Sequence, residues 1–257
     1  SCIAVSVGEG GASNFTWLAG SLGKLADMRA GLHNVSAALS NKAALSVQQT
    51  VEATRIPART VEVAVADLPG YIRGLPRLLT EALTGKVTTT AAIDFLHCIG
   101  FYGSGSLTIS VAEGAEVTVQ IQTLVDSCSV PITLEGLRII GDNSGGGSVF
   151  SVVNTPFVVA RNCVIDREHD KNKVGAQAAY GSHLLLEQCQ ITNCHPAINC
   201  WYGSIVCANN CTGQNNVLGT RTSGGIVLLL GTTPELMGGS ANSKSGGLIV
   251  KADGTLL

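Results

Sequence analysis

The chain has 257 residues, of which 45% are hydrophobic and 13% are charged, and its formal net charge is -2 at pH 7. Binding to nucleic acid requires clustered lysine and arginine, so this charge balance excludes a nucleic-acid partner. The longest apolar run, 225–231, is far shorter than the roughly 20 residues of a membrane span, so no membrane insertion is expected. A chain with so few charges is expected to hide part of its surface in an assembly.

Residues 1–59 are predicted to form an N-terminal helical adaptor or stem. Leucines recur there at helical spacing, most of them seven residues apart, which is typical of a coiled-coil seam or of a helix that packs on a partner. Two interpretations stay open: ordinary amphipathic helices broken near Gly31, or a stem shared between the subunits of a homotrimer. The predicted seam consists of Leu18, Leu22, Leu25, Leu32 and Leu39.

Residues 60–100 are predicted to form a strand and a helix that cap a solenoid. The segment 60–65 alternates between apolar and polar residues as a strand does. Asp67 is placed to cap a helix that continues to Leu79, with Pro76 kinking or dividing it. A short helix across the open end of a solenoid covers core and strand edges that are otherwise exposed.

Residues 101–257 are predicted to form a right-handed parallel β-helix, because a short apolar run, a cysteine and a polar turn recur in them. By subtraction, Cys163, Cys189 and Cys211 lie 26 and 22 residues apart, and a fainter upstream copy ends at Cys128. Units of a few tens of residues, with strand signals and no helical spacing between them, stack to bury a common core. The predicted fold class is therefore mainly β, with the recurring cysteine facing inward.

The nine cysteines are interpreted as buried thiols of a chain that folds in a reducing cytoplasm. The spacing of Cys207 and Cys211, with His195 nearby, suggests zinc as an alternative. The cysteines follow the repeat, however, and the sequence contains no matching second pair. Neither a metal nor a cofactor is therefore expected.

Four stretches carry a resemblance to a known family. They are Asp-Leu-Pro-Gly-Tyr-Ile at 67–72, Gly-Phe-Tyr-Gly-Ser-Gly-Ser-Leu-Thr-Ile at 100–109, Cys-Ser-Val-Pro-Ile-Thr-Leu-Glu-Gly at 128–136 and Gly-Gly-Leu-Ile-Val at 246–250. This succession resembles β-helical tail-fibre or tailspike-like proteins of phages that infect low-GC, Gram-positive-type bacteria, over roughly residues 60 to 257.

The resemblance implies a structural, host-surface-facing component of a virion tail, made in the host cytoplasm. It implies a homotrimer that attaches to other phage tail proteins through the N-terminal segment. The β-helix would then face a glycan or a protein on the host cell surface and act as a receptor-binding element.

Two alternatives remain open: a tailspike-type polysaccharide depolymerase, and a bacterial cell-surface adhesin. Glycosidases need two carboxyl groups roughly 5 to 9.5 Å apart, and a calcium-dependent lyase needs clustered aspartates with a basic residue. The sequence shows neither arrangement, so no catalytic residue is assigned and a non-catalytic role is preferred. The acidic candidates are Asp142, Asp166, Glu168, Asp170 and Glu187.

A ligand-facing patch is predicted around Trp201 and Tyr202, because exposed aromatic rings stack on sugar rings. Asn199 and Tyr180 complete the predicted patch. The alternative interpretation is that these aromatic side chains cover a junction between coils or a contact between subunits.

Overall fold

The computed structural model describes residues 57–141, 147–167, 173–232 and 242–257, with the backbone alone for 242–244. They belong to one compact unit, Ile56–Leu257. The predicted N-terminal stem, apart from its last three residues, and its predicted seam from Leu18 to Leu39 lie outside the described residues.

The described chain is a parallel β-solenoid, which confirms the prediction of a mainly β fold built as a parallel β-helix. The first half contains β1 (Ala58–Val63), β2 (Leu78–Leu79), β3 (Ala82–Val87), β4 (Ala91–Ile99), β5 (Tyr102–Gly103), β6 (Ser106–Val111), β7 (Val117–Asp126), β8 (Ile132–Glu135), β9 (Leu137–Ile140), β10 (Phe150–Val153) and β11 (Val158–Arg161). The second half contains β12 (Val164–Asp166), β13 (Ala176–Ala179), β14 (His183–Glu187), β15 (Gln190–Thr192), β16 (Ile198–Trp201), β17 (Ile205–Asn209), β18 (Thr212–Gln214), β19 (Thr220–Ser223), β20 (Ile226–Leu230), β21 (Asn242–Ser245) and β22 (Leu248–Lys251).

The strands form three sides of the solenoid. The nine-stranded sheet, here called face 1, has the order β1-β3-β6-β8-β11-β14-β17-β20-β22. The eleven-stranded sheet divides into two sides, because the first part of the long strand β7 pairs with β9 and its last part with β10. Face 2 continues through β12, β15 and β18, and face 3 through β13, β16, β19 and β21.

Inward-facing side chains form continuous apolar rows along these faces. In the principal row of face 1, paired residues are 21 to 26 positions apart in sequence, and each is at most 2% exposed. Because side chains alternate between the two sides of a strand, a slip of one residue would expose a whole row. This row consists of Leu83, Leu107, Ile132, Val158, Leu184, Val206, Val227 and Ile249.

In each coil the chain turns from face 3 to face 1 at a residue with positive φ. Backbone hydrogen bonds stack these corner residues from coil to coil. Left-handed backbone suits glycine and is tolerated by asparagine, but it strains a residue with a bulky side chain. Two tyrosines in the column are therefore unusual. The column is Gly100 (φ 71), Ser127 (55), Asn154 (47), Tyr180 (58), Tyr202 (51), Gly224 (68) and Gly246 (66).

The segment 60–100, predicted as a cap, contributes strands to the same sheets as the later coils, since β1 pairs with β3 and β3 with β6. Its helix, α1 (Leu68–Gly74), follows a single 3-10 turn at Val65–Asp67. Asp67 is the N-cap residue but makes no side-chain capping bond. The prediction that this helix continues to Leu79 was wrong: Leu75 is extended, as the residue before a proline prefers.

The repeating cysteines mark the corner between face 1 and face 2. Cys163, Cys189 and Cys211 are buried, and each thiol donates to a carbonyl of the preceding coil at 3.3 to 3.6 Å. Each follows a residue with positive φ. The prediction of inward-facing cysteines stacked coil on coil is confirmed.

Cys128 was wrongly aligned with this repeat, because it lies at the other corner, between face 3 and face 1. Its backbone N–H donates to Thr155 Oγ1 at 3.1 Å, and the N–H of Thr155 donates to Ser182 Oγ at 3.1 Å. The N–H of Ser182 in turn donates to Ser204 Oγ at 3.1 Å. Hydroxyl groups therefore occupy this corner in the later coils, so the recurrence of cysteine does not reveal it.

The inward row of face 2 gives the first prediction. Ile165 pairs with Ile139 and Ile191 and is fully buried, so Ile165→Ala should lower the free energy of unfolding by about 2 to 5 kcal/mol. The neighbouring change Val164→Ala, on the outward side, should cost less than about 1 kcal/mol. Urea unfolding followed by circular dichroism measures both, and equal losses would contradict the assigned register.

Candidate functional site

An aromatic surface lies at the corner between face 3 and face 1. Tyr180 and Tyr202 occupy the same corner position in successive coils, and their rings stack with centroids 5.1 Å apart and an interplanar angle of 17°. The two side chains are 58% and 56% exposed. Trp201 meets Tyr202 edge to face, with centroids 5.8 Å apart at 64°. We call Tyr180, Trp201 and Tyr202 the aromatic shelf.

The two tyrosines are held in a strained backbone conformation. A left-handed conformation costs an L residue about 1 to 2 kcal/mol, whereas an aromatic pair returns only about 0.5 to 1.5 kcal/mol beyond its buried area. In the next two coils the same corner position is occupied by Gly224 and Gly246, and glycine is the residue that a left-handed backbone favours. Strain of this kind concentrates at binding and active sites, so the tyrosines are functional candidates.

Among the described residues of the corner column, no side chain lies against one ring face of the shelf. Tyr180 covers Tyr202 from one side, and on the other side the stacked corner residues are Gly224 and Gly246. A Cβ atom placed on either glycine would meet no atom within 4 Å. The shelf therefore ends in a step, with the ring of Tyr202 as its floor and Trp201 as its wall.

Arg221 completes the wall of the shelf. Its guanidinium carbon lies 5.5 Å from the centroid of the Trp201 ring, a cation–π arrangement that holds the indole in place. Its Nε donates to Asn199 Oδ1 at 3.0 Å. The arginine thus brings a positive charge and further donors to the edge of an otherwise aromatic surface.

The predicted patch comes together only in part at the surface. Tyr180, Trp201 and Tyr202 form the shelf, whereas Asn199 is fully buried and its Nδ2 donates to Gln177 Oε1 at 2.9 Å. The buried Asn199 therefore orients the Arg221 side chain through this hydrogen bond. Arg221 itself was missed, although the step of 22 residues from Cys189 to Cys211, applied to Asn199, leads to it.

The described acidic candidates are engaged with neighbouring coils. Asp166 Oδ1 accepts from Asn193 Nδ2 at 2.7 Å, and Glu187 forms an ion pair with Arg161 at 2.7 Å. The other candidates, Asp142, Glu168 and Asp170, lie outside the described residues. Within the described ranges, no group of three or more His, Cys, Asp or Glu side chains is placed to hold a metal ion.

Burial keeps several thiols protonated. Desolvation raises the pKa of Cys98 and of Cys194 to about 12 and that of Cys200 to about 11. The thiolate is the nucleophile of cysteine chemistry, so these groups are unreactive near neutral pH. Cys207 is the one partly exposed cysteine in the described part of the chain.

The described residues contain no helix that is both long enough and apolar enough to cross a membrane. The chain matches no protein-family model, and no curated protein or solved structure is significantly similar to it. The geometry of the solenoid and of its shelf therefore carries the functional argument.

Thiol labelling tests the burial of the cysteines. Treatment of the folded protein with iodoacetamide at pH 8 should modify Cys207 and leave Cys98, Cys194 and Cys200 unmodified. A thiol with a pKa of about 11 to 12 is ionised in only about one molecule in a thousand to one in ten thousand at that pH. Peptide mass spectrometry locates the labels. Unfolding in urea should expose all four, and labelling of Cys194 in the folded state would contradict its placement.

Replacement of a shelf tyrosine by glycine tests the strain. In Tyr202→Gly, relief of the left-handed conformation offsets the lost ring stack and the entropy of glycine, so the free energy of unfolding should change by less than about 1 kcal/mol. Tyr102, which is 52% exposed but has no positive φ, is the matched control. Tyr102→Gly has no strain to relieve, so it should cost about 1 kcal/mol or more. A loss above about 3 kcal/mol in Tyr202→Gly would make this side chain structural.

Proposed function

We propose that this protein is a non-catalytic recognition component of a bacteriophage tail that binds a host cell-surface carbohydrate through the aromatic shelf. The observation that carries the proposal is the pair of strained, stacked and exposed tyrosines beside Trp201. The backbone there favours glycine, so the fold alone does not account for the rings.

The shelf has the features that a saccharide requires. The C–H groups on one face of a pyranose ring pack against an aromatic ring, and the floor at Tyr202 and the wall at Trp201 offer two surfaces at an angle of 64°. Sugar hydroxyl groups need hydrogen-bond partners at the edge, and Arg221 supplies donors there. The net charge of -2 does not favour nucleobases, which also stack on aromatic rings but bring phosphates.

The virion location rests on the resemblance and on the architecture. A solenoid places its coils along one axis and exposes long sides, which suits a rigid element between an attachment point and a cell surface. In this proposal residues 1–59 bind other tail proteins, and the leucines at 18–39 join three chains as a homotrimer. A cell-surface adhesin would use the same shelf, so location on virions separates these two roles.

The contacts of the carboxylates support recognition without hydrolysis. A glycosidase needs one carboxylic acid and one carboxylate across an open gap. Asp166 and Glu187 are instead bonded to neighbouring side chains. Neither of these two carboxylates is therefore free to serve as the acid or the base of a depolymerase.

Binding to bacterial glycans tests this function. On an array of capsular polysaccharides and wall teichoic acids from Gram-positive bacteria, the full chain should bind at least one glycan. Tyr202→Gly and Trp201→Ala should each raise the Kd about 5- to 150-fold, the effect expected when one aromatic stacking contact of roughly 1 to 3 kcal/mol is lost. Tyr102→Gly should leave the Kd unchanged.

The same samples distinguish the alternatives. Binding without release of reducing ends supports recognition, whereas released oligosaccharides would establish a depolymerase. The absence of binding to every glycan, or equal affinity of Tyr202→Gly and the wild type, would refute the role of the shelf. Gold-labelled antibody should mark the tails of purified virions in electron micrographs, and label on bacterial cells alone would indicate an adhesin.

A further inference from the structure

Arg221 is an isolated cation at the edge of the aromatic shelf. From residue 188 to residue 234 it is the only Asp, Glu, Lys or Arg in the sequence, so these coils contain no carboxylate that could neutralise it. Its guanidinium makes no ion pair with any described residue. Arg161, by contrast, has its guanidinium 2.7 Å from a carboxylate oxygen of Glu187. The positive charge beside the shelf is therefore not cancelled by the described fold.

The side chain of Arg221 is held by neutral groups of the neighbouring coils. Its Nε donates to Asn199 Oδ1 at 3.0 Å, and Asn199 Nδ2 donates to Gln177 Oε1 at 2.9 Å. Asn199 is fully buried, so this row of side chains fixes the arginine from one side. An arginine has five N–H donors, and four of them are on the two terminal Nη atoms. Among the described residues, no acceptor occupies these four donors.

Arg221 lies in the coil that follows Tyr202. A ring stacked on Tyr202 would lie about 4.8 Å farther along the axis, at the level of Gly224. Arg221 and Ser223 belong to this coil, and both face outward because they alternate with buried threonines. Ser223 is paired in register with Trp201. The guanidinium and a hydroxyl group therefore lie in the coil beside the position of a stacked sugar.

We infer that the aromatic shelf binds an acidic saccharide, with the sugar ring on Tyr202 and its acid group paired with the Arg221 guanidinium. This inference rests on the proposed carbohydrate-binding function and names the class of glycan. A planar guanidinium bonds a carboxylate or a phosphate through two parallel N–H groups. The acid group is therefore that of a uronate or of a sugar phosphate.

The charge balance around the shelf favours an acid over a neutral sugar. A hydroxyl group can be bound by an uncharged side chain such as Ser223, whereas hydrogen bonds between charged groups are roughly twice as strong. The aromatic wall at Trp201 also excludes water from one side of the cation, which strengthens its electrostatic interactions. One cation matches one acid group on one stacked sugar, whereas binding to nucleic acid needs a cluster of cations.

Paired glycans test the preference for an acid. The full-length protein is titrated with uronate-containing capsular polysaccharides and with their carboxyl-reduced forms, which keep the sugar ring and lose the charge. Single teichoic-acid repeating units with and without a phosphate monoester form the second arm. In one arm the acidic ligand should bind roughly 10- to 150-fold more tightly than its neutral counterpart. That arm identifies the acid as a carboxylate or a phosphate.

The ratio of the two Kd values separates recognition of the acid from support of the indole. Arg221→Gln should bring this ratio to about one, and Arg221→Lys should keep part of it, because lysine retains the charge without the planar fork. Arg161→Gln, which removes a cation from face 1, is the matched control and should leave the ratio unchanged. In the wild type, raising the salt from about 0.05 to about 0.5 M should weaken binding of the acidic ligand alone.

The outcomes separate this inference from the proposed function. Equal affinity of the wild type for both forms, with binding still weakened by Tyr202→Gly, would overturn the inference and keep a shelf that binds neutral glycans. Equal weakening of both forms in folded Arg221→Gln would assign Arg221 only to the support of Trp201 and would also overturn it. Circular dichroism and Tm verify folding, and the wild-type ratio and its salt dependence need no variant. Binding to no glycan at all would refute the proposed function itself.

Discussion

The structure depends on the parallel register of successive coils. Each backbone amide of a strand is satisfied by the coil before or after it, and this pairing repeats the positions of side chains from coil to coil. A residue suited to the interior must therefore recur at every coil, as the row from Leu83 to Ile249 does. The outward positions have no such requirement, so differences among them carry information about function.

The sequence predicts this architecture well where inward positions repeat a residue type. The recurrence of Cys163, Cys189 and Cys211 gave the fold and one corner correctly. It failed at Cys128, because hydroxyl groups at Thr155 and Ser182 replace cysteine in the later coils of that corner. The helical spacing of the leucines also gave a wrong prediction at Leu79. Pro76 weakens the helical pattern there, and β2 pairs with β5 instead.

The shelf shows what a sequence alone cannot supply. Aromatic residues at 201 and 202 could be identified from the sequence, but the positive φ of Tyr180 and Tyr202 depends on their place in a corner column. The burial of Asn199 also depends on its neighbours, since Gln177 and Arg221 lie in the same outward row only when the coils are in register. Register thus converts a weak aromatic signal into a defined surface with a floor, a wall and an adjacent cation.

The aromatic shelf and the outward side of face 1 share one edge of the solenoid. Tyr202 is separated from Ile205 by a two-residue turn, Gly203 and Ser204, and the column that begins at Phe157 follows the same corner. Tyr202 and Phe157 are each 56% exposed. The strained tyrosines and a partly exposed apolar column therefore meet at one corner, and the register of the buried rows beneath fixes the position of both.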